Sequence, residues 1–372
     1  MDRWKNQPAR RKIMKKKHPV LAAGTRILIV RLSAIGDVMH ATAVVHNLKR
    51  LQPGCHITWL VSPPAASLLA GNPDIDALLV WDRRALDRAF AAKDLRGIVR
   101  SLAAARKLLR PHAFDIALDI QGLFLSGLLT RMSGAPRRIG IHERHEGNFL
   151  FMTELAPDLK AKHKIHRYLS ALQPLGFDFS AFQPGLVLPL AAAQRTWAKD
   201  FWQAQGVETG NPRRPLLLVN TRTTWPDKNW PAENFGHCLR ALGPHIQIVF
   251  TGAAADAPCI AKAQQRLGRP SLSIAGKTTL SELAALFAEA DLLLTGDTGP
   301  LYIAEAVGLP TLSLWGPTHP DIYGPLTSGH HFVLSPHSCT ACCKTKCRHH
   351  TNACMNAITP ESVTEKIKRL LQ

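Results

Sequence analysis

The chain has 372 residues, 46% apolar and 20% charged. That balance suits a globular protein of about two domains and excludes a disordered or fibrous one. No apolar run approaches the ~18 residues needed to cross a bilayer, and Val20–Ala23 is too short for a signal-peptide core, so the cytoplasm is the expected compartment. A formal net charge of +19 draws polyanions: nucleic acid, an anionic membrane or phosphorylated substrates.

Residues 1–23 read as a disordered basic tail. The first 17 hold eight Lys or Arg against a single acid, Asp2, and such a segment is attracted to anionic lipid. Arg26–Leu32 then reads as a strand and Ser33–Gly36 as a tight loop. A helix follows over 37–48, with Asp37 at its start, where a carboxylate can cap free N–H groups. Strands are expected at 57–61, 75–81 and 114–120, and helices near 64–70, 95–109 and 123–132, with 137–141 as a last short strand. This alternation predicts a doubly wound α/β domain over residues 24–189. Residues 190–211, with a helix over 191–205, form a connection. A second series begins at residue 212, with strands at 216–220, 246–252, 272–275, 291–295 and 311–315. Helices at 232–242, 254–267, 280–290 and 301–307 lie between them, and a capped helix over 359–371 closes the chain. The expected architecture is therefore two Rossmann-like domains, 24–189 and 212–372, facing each other across a cleft.

Three stretches carry chemistry. Gly296-Asp297-Thr298-Gly299-Pro300 joins a buried strand to a helix, at the strand end where open α/β sheets bind ligands and where helix N–H groups favour a phosphate. The loop Thr221–Pro231 offers the Thr223 and Thr224 hydroxyls and the Lys228 ammonium at another strand end, groups suited to a phosphate. Near the end, Cys339, Cys342, Cys343, Cys347 and Cys354 surround His349 and His350. Four thiolates, or three and a His, can bind zinc or an iron–sulfur cluster, so Cys339, Cys342, Cys347 and Cys354 are a candidate structural metal site. The spacing does not fit a zinc ribbon, and reduced, unliganded cytoplasmic thiols are the competing reading.

Four landmarks in order resemble the glycosyltransferases of family 9, the ADP-heptose:lipopolysaccharide heptosyltransferases. They are Arg31-Leu-Ser-Ala-Ile-Gly-Asp-Val-Met-His40, Leu118-Asp-Ile-Gln-Gly122, Asp227-Lys-Asn-Trp-Pro231, and Gly296-Asp-Thr-Gly299 followed by Trp315-Gly-Pro-Thr318. His163–Leu169 also resembles a helix start common in that family, and the likeness runs over about residues 26–371. It implies a GT-B fold and inverting, metal-independent transfer of heptose from ADP-heptose to the lipopolysaccharide inner core (Kdo or a first heptose), with no cofactor. It implies Asp37 as general base and Lys228, Thr223, Thr224, Thr298 and Gly299 around the donor diphosphate. It further implies Asp297 on the heptose hydroxyls, Asp256 on the ribose and Lys277–Thr278 at the adenine. On the acceptor side it implies that the region of Gln121, Arg138, Arg144, His163 and Arg167 meets the anionic Kdo–lipid A core, with peripheral contact at the cytoplasmic leaflet of the inner membrane. In the family a His commonly lies three residues beyond the last Gly of Asp-Thr-Gly; Tyr302 stands there in this chain.

Three other readings compete: a family 9 transferase with another donor or acceptor, a GT-B sugar-nucleotide binder or epimerase, and a basic nucleic-acid-binding protein. The last is disfavoured by the lack of a recognisable nucleic-acid module and of basic–aromatic interleaving, with only three Tyr.

Overall fold

The computed structural model describes residues 21–142, 146–159 and 163–372. The expected tail, up to residue 20, lies outside the described residues. The first half builds one parallel sheet from β1 (Arg26–Val30), β2 (His56–Val61), β3 (Ala77–Val80), β4 (Ile116–Asp119), β5 (Arg137–Gly140) and β6 (Glu154–Leu155). Its order is β3-β2-β1-β4-β5-β6. The second half repeats the plan with β7 (Leu216–Asn220), β8 (Gln247–Thr251), β9 (Leu272–Ser273), β10 (Leu292–Gly296), β11 (Thr311–Trp315) and β12 (His330–Leu334), in the order β12-β11-β10-β7-β8-β9. In each sheet the order reverses beside the first strand, between β1 and β4 and between β7 and β10. Those switch points are where open α/β sheets receive ligands. The pair of facing Rossmann-like sheets is the GT-B arrangement.

Strand periodicity sorts the core into layers. Ile27 and Ile29 of β1 face one cluster, and Leu28 and Val30 face another. In the second sheet Leu216, Leu218 and Leu293 join the same cluster as Ile27 and Ile29, while Leu217, Val219 and Leu294 face outward to a third. One apolar layer is therefore shared by both halves. Helix Ile35–Leu51 runs through it and is buried on almost every side, because the first sheet covers one flank and helix Gly299–Val307 the other. The connecting helix Ala192–Ala204 packs on helix Leu280–Phe287, where Trp202 Nε1–H donates to the Leu286 carbonyl at 3.3 Å. Each such fully buried large side chain contributes about 1.5–3 kcal/mol.

The structure adds elements that the sequence pattern does not announce. Helix Arg83–Ala91 starts at Asp82, whose carboxylate accepts from Arg84 N–H, and buries only Leu86 and Ala89. β6 extends the first sheet past the strand expected to be its last. β12 is an edge strand with two exposed residues among its five.

Two positions make the fold measurable. A Cβ at Gly36 would lie 2.7 Å from the Tyr302 ring, and one at Gly299 would lie 2.9 Å from Ile35 Cγ2. Bare backbone at these points lets the two helix starts touch. Gly36→Ala is expected to lower stability by about 1–3 kcal/mol in urea unfolding, because the Tyr302 ring would have to shift from the position in which its hydroxyl bonds Asp297. Glu305, on helix Gly299–Val307, is 4% exposed, and its Oε2 has no partner. Burial pushes its pKa up to about 7, only partly opposed by the Leu326 and Thr327 N–H groups. The folded chain thus holds a proton that the unfolded chain releases near its ordinary value of 4.5. This contribution is complete below the unfolded value and is lost as pH rises through about 7. Between mildly acidic and mildly alkaline pH, calorimetry should show the wild type losing up to about 3 kcal/mol relative to Glu305→Gln.

Candidate active site

The carboxyl ends of β1, β2, β7, β10 and β11 converge on a cavity of about 380 Å³ between the halves. From the first half it is lined by Asp37, His40 and Lys164, among others, and from the second by Thr224, Lys228, Asp297, Thr298, Gly299 and Tyr302. The Leu-Ile-Val strands stop where polar loops begin, so each loop delivers its side chains at the same level.

Asp37 is in the first turn of helix Ile35–Leu51 but does not cap it; Ala34 is the N-cap and no side chain bonds the free N–H groups. The carboxylate turns to cations instead. Arg31 Nη2 lies 2.5 Å from Oδ2, Lys164 Nζ contacts Oδ1, and the Tyr168 hydroxyl donates to Oδ1 at 3.1 Å. Burial works against this charge, but Arg31 and Lys164 overcome it and hold the Asp37 pKa well below the usual carboxylate range. Lys164 is held charged in turn: burial favours the neutral amine, but Tyr168 and Asp37 outweigh it and raise its pKa.

Across the cavity Asp297 accepts three bonds: from Lys228 Nζ at 2.6 Å, from the Tyr302 hydroxyl at 2.5 Å and from the Thr318 hydroxyl at 2.7 Å. A carboxylate has about four acceptor sites, so one stays open to a ligand hydroxyl. Lys228 also lies over the Trp225 ring, 4.1 Å from its centroid. Burial and Asp297 push the Tyr302 phenol far above its ordinary pKa, so it stays protonated and donates to Asp297. Thr298 is the N-cap of helix Gly299–Val307 and its side chain makes no cap bond; Pro300 has no N–H and Leu301 N–H donates to the Thr298 carbonyl, so the N–H groups beside the cavity are those of Thr298 and Gly299.

His40 lies between these charge centres. It is 2% exposed, meets Tyr302 edge-on with ring centroids 4.3 Å apart, and neither ring nitrogen has a partner. Burial, reinforced by Lys164, pushes its pKa down to about 3. It therefore presents a neutral imidazole, one donor and one acceptor, to whatever fills the space.

Other residues singled out in the sequence lie outside this cavity. Thr223 spends its hydroxyl on the Trp225 carbonyl at 2.7 Å and its N–H on Asn229 Oδ1, so it shapes the loop while Thr224 lines the space. Asp256 accepts from Ala253 N–H at 2.8 Å and lies 3.8 Å from Arg222. Its loop adjoins that of Lys277 and Thr278 through Gly276 N–H donating to Gly252 O, so these three residues share one neighbourhood beside β8 and β9. Gln121 is buried, with its Oε1 accepting from Leu32 N–H at 2.7 Å, and ties β4 to β1 instead of facing the cleft. Arg138 donates to the carbonyls of Phe151 and Ala135, both at 2.8 Å. Arg144 lies outside the described residues. His163 caps helix Lys164–Leu169 through Nδ1 and joins the halves through Nε2 and the Gly324 carbonyl at 2.8 Å. Arg167 is on the same helix, half-buried and not at the cavity wall. Cys339, Cys342, Cys347 and Cys354 line a second cavity of about 450 Å³ with Asp227. All eight cysteines are free thiols, and no group of three or more His, Cys, Asp or Glu is set to hold a metal among the described residues.

Sequence reasoning assigned no role to Arg31, His40, Lys164, Tyr168 or Thr318. Arg31, His40 and Thr318 belong to the quoted landmarks, and Lys164 and Tyr168 to the helix start at His163, so the stretches were visible although the pairings were not.

Residues 102–352 match the family described as glycosyltransferase family 9 (heptosyltransferase). Over 299 residues the chain is 26% identical to the lipopolysaccharide core heptosyltransferase OpsX of Haemophilus influenzae, covering 79% of this chain and 80% of that protein. A glycosyl transferase family 9 structure from Veillonella parvula is similar with a TM-score of 0.78 at 25% identity, over 95% of this chain and 99% of that one. The Escherichia coli heptosyltransferase WaaC, solved with ADP, gives 0.70 at 21% identity over 93% and 100%. With two-thirds of its length inside the family match, this chain belongs to glycosyltransferase family 9, the heptosyltransferases.

Proposed function

We propose that this protein transfers heptose from ADP-L-glycero-D-manno-heptose to the inner core of lipopolysaccharide, onto Kdo or a first heptose, with inversion and without a catalytic metal. The observation that carries the reading is that Asp37 from one half and the Lys228–Asp297 pair from the other line a single cavity. The lipopolysaccharide heptosyltransferase name of a relative and the ADP in the WaaC structure support the choice of substrates.

In this reading residues 24–189 hold the acceptor, residues 212–372 hold the donor, and residues 190–211 join them. Asp37 takes the proton of the acceptor hydroxyl as its oxygen bonds to the anomeric carbon, and the bond from that carbon to the diphosphate breaks on the opposite face. Lys228, the Thr224 hydroxyl and the N–H groups at Thr298–Gly299 receive the charge that develops on departing ADP. Because those groups belong to the protein, the reaction needs no divalent cation. Asp297 holds heptose hydroxyls through its open acceptor site. Asp256, Lys277 and Thr278 take the adenosine, and Thr223 supports the loop. The anionic acceptor enters beside Lys164, His163 and Arg167, with Gln121, Arg138 and Arg144 framing the same half. No described helix is long and apolar enough to cross a membrane, and the enzyme meets its lipid-borne acceptor as a peripheral protein at the cytoplasmic leaflet. A second reading keeps the chemistry and changes the sugar: Tyr302 stands where the family commonly has His and is locked onto Asp297.

Calorimetric titration with ADP, UDP and GDP, with chelator present, tests the donor. ADP is expected to bind best, and Lys228→Ala to weaken it by about tenfold or more. A preference for UDP or GDP removes the heptose donor. Asp37→Asn should leave ADP affinity unchanged and cut transfer by about 10²–10⁴-fold; undiminished transfer removes Asp37 as base.

A further inference from the structure

Nine large apolar side chains stand exposed among the described residues, and seven of them fall between Val80 and Leu150 in the first half. The strongest group belongs to the hairpin of helices Arg83–Ala91 and Leu95–Leu109: Phe90 is 58% exposed, Leu95 76% and Val99 66%. These are not stray core residues. Helix Leu95–Leu109 already has its inward stripe in Ile98, Leu102, Ala105 and Leu109, which pack on the outer core of the first sheet. Leu95 and Val99, four apart and so neighbours on the helix surface, lie beside that stripe and cover nothing.

The same hairpin is strongly basic. Residues 83–110 carry nine Lys or Arg against Asp87 and Asp94. Both acids are already engaged, Asp94 in capping Gly97 N–H at 2.9 Å and Asp87 with Arg83 at 3.3 Å. Arg88, Arg96 and Arg100 are exposed close to Phe90, Leu95 and Val99 in sequence. Aromatic and aliphatic tips flanked by long cationic side chains match a bilayer interface, where the apolar part enters the acyl boundary and guanidinium groups meet lipid phosphates. The outer core puts this layer on the sheet face opposite the one shared with the second half, so a flat partner reaches it without obstructing the cleft.

We propose that the Arg83–Leu109 hairpin is the surface by which this protein lies on an anionic phospholipid bilayer, with Phe90, Leu95 and Val99 inserting and Arg88, Arg96 and Arg100 holding lipid phosphates. This deepens the peripheral-membrane part of the reading above, and its test is separate from the sugar-transfer chemistry.

The test is flotation of the full chain with phosphatidylcholine vesicles, with and without phosphatidylglycerol. Wild type should float with the anionic vesicles and remain behind with the zwitterionic ones. Two triple variants, Phe90→Ser/Leu95→Ser/Val99→Ser and Arg88→Gln/Arg96→Gln/Arg100→Gln, should each lower the partition coefficient by about tenfold or more, with thermal unfolding and ADP binding unchanged. All six positions are exposed, and the two variants fail or fold independently of each other. Absence of wild-type binding to anionic vesicles overturns the proposal. So does equal binding to both vesicle types, or undiminished binding by either folded variant, which assigns lipid contact to another basic segment such as residues 1–17. If the ADP titration fails while flotation succeeds, the donor reading falls and the membrane face stands.

Discussion

The contact on which the active cleft depends is the meeting of two helix starts, Ile35–Leu51 from one half and Gly299–Val307 from the other. Gly36 and Gly299 carry no side chain where the Tyr302 ring and Ile35 press in. That approach draws the end of β1 to the end of β10, and with it Asp37 toward Asp297. Helix Ile35–Leu51 is consequently enclosed by apolar neighbours on both flanks, which accounts for its near-complete burial. His163 adds a second tie through the Gly324 carbonyl, beside which Lys164 lies 5.5 Å from the Tyr323 ring centroid.

Two carboxylates facing one small cavity would repel each other and resist burial. Each is matched by cations of its own half: Arg31 and Lys164 on Asp37, Lys228 on Asp297. Removing one partner from a buried pair commonly costs about 3–5 kcal/mol, because the other charge is left uncompensated. The pairs therefore fix where charge resides before any ligand arrives, and no group has to reorganise to meet a leaving diphosphate. The bound state of Asp37 also makes it a weaker base than an isolated carboxylate. An acceptor carrying its own anionic groups would compete for Lys164.

Much of this was legible in the sequence for a physical reason. Strands covered on both faces read as unbroken apolar runs, and Ile27–Val30, Leu216–Val219 and Leu292–Leu294 are of that kind. The polar loops that end them, with Asp37, Lys228 and Asp297, could be found by position alone. The edge strand His330–Leu334 escaped because a strand exposed along one side keeps no such run. Helix Arg83–Ala91 escaped because only Leu86 and Ala89 turn inward. Side-chain partners were the least visible. Nothing in residue type says that Gln121 and Arg138 bond backbone groups, or that Lys164 reaches back to Asp37. Residue type likewise does not announce how the cysteine segment is tied down: Cys347 N–H donates to the Asp227 carboxylate at 2.5 Å and Cys343 N–H to Pro317 O at 2.7 Å.

The apolar layer common to both sheets has a bearing on engineering. Specificity in two-part transferases invites chimaeras, in which the acceptor half of one relative is spliced to the donor half of another. Here the cut cannot follow the connecting segment alone. Leu283–Phe287 and Leu301–Ala304 of the second half share one packed cluster with Val38–Leu48 of the first. Interiors tolerate exchanges that conserve volume far better than those that leave voids or overlaps. A hybrid would have to carry helices Ile35–Leu51, Leu280–Phe287 and Gly299–Val307 as a matched set, so the unit of recombination is that helical seam and not either sheet.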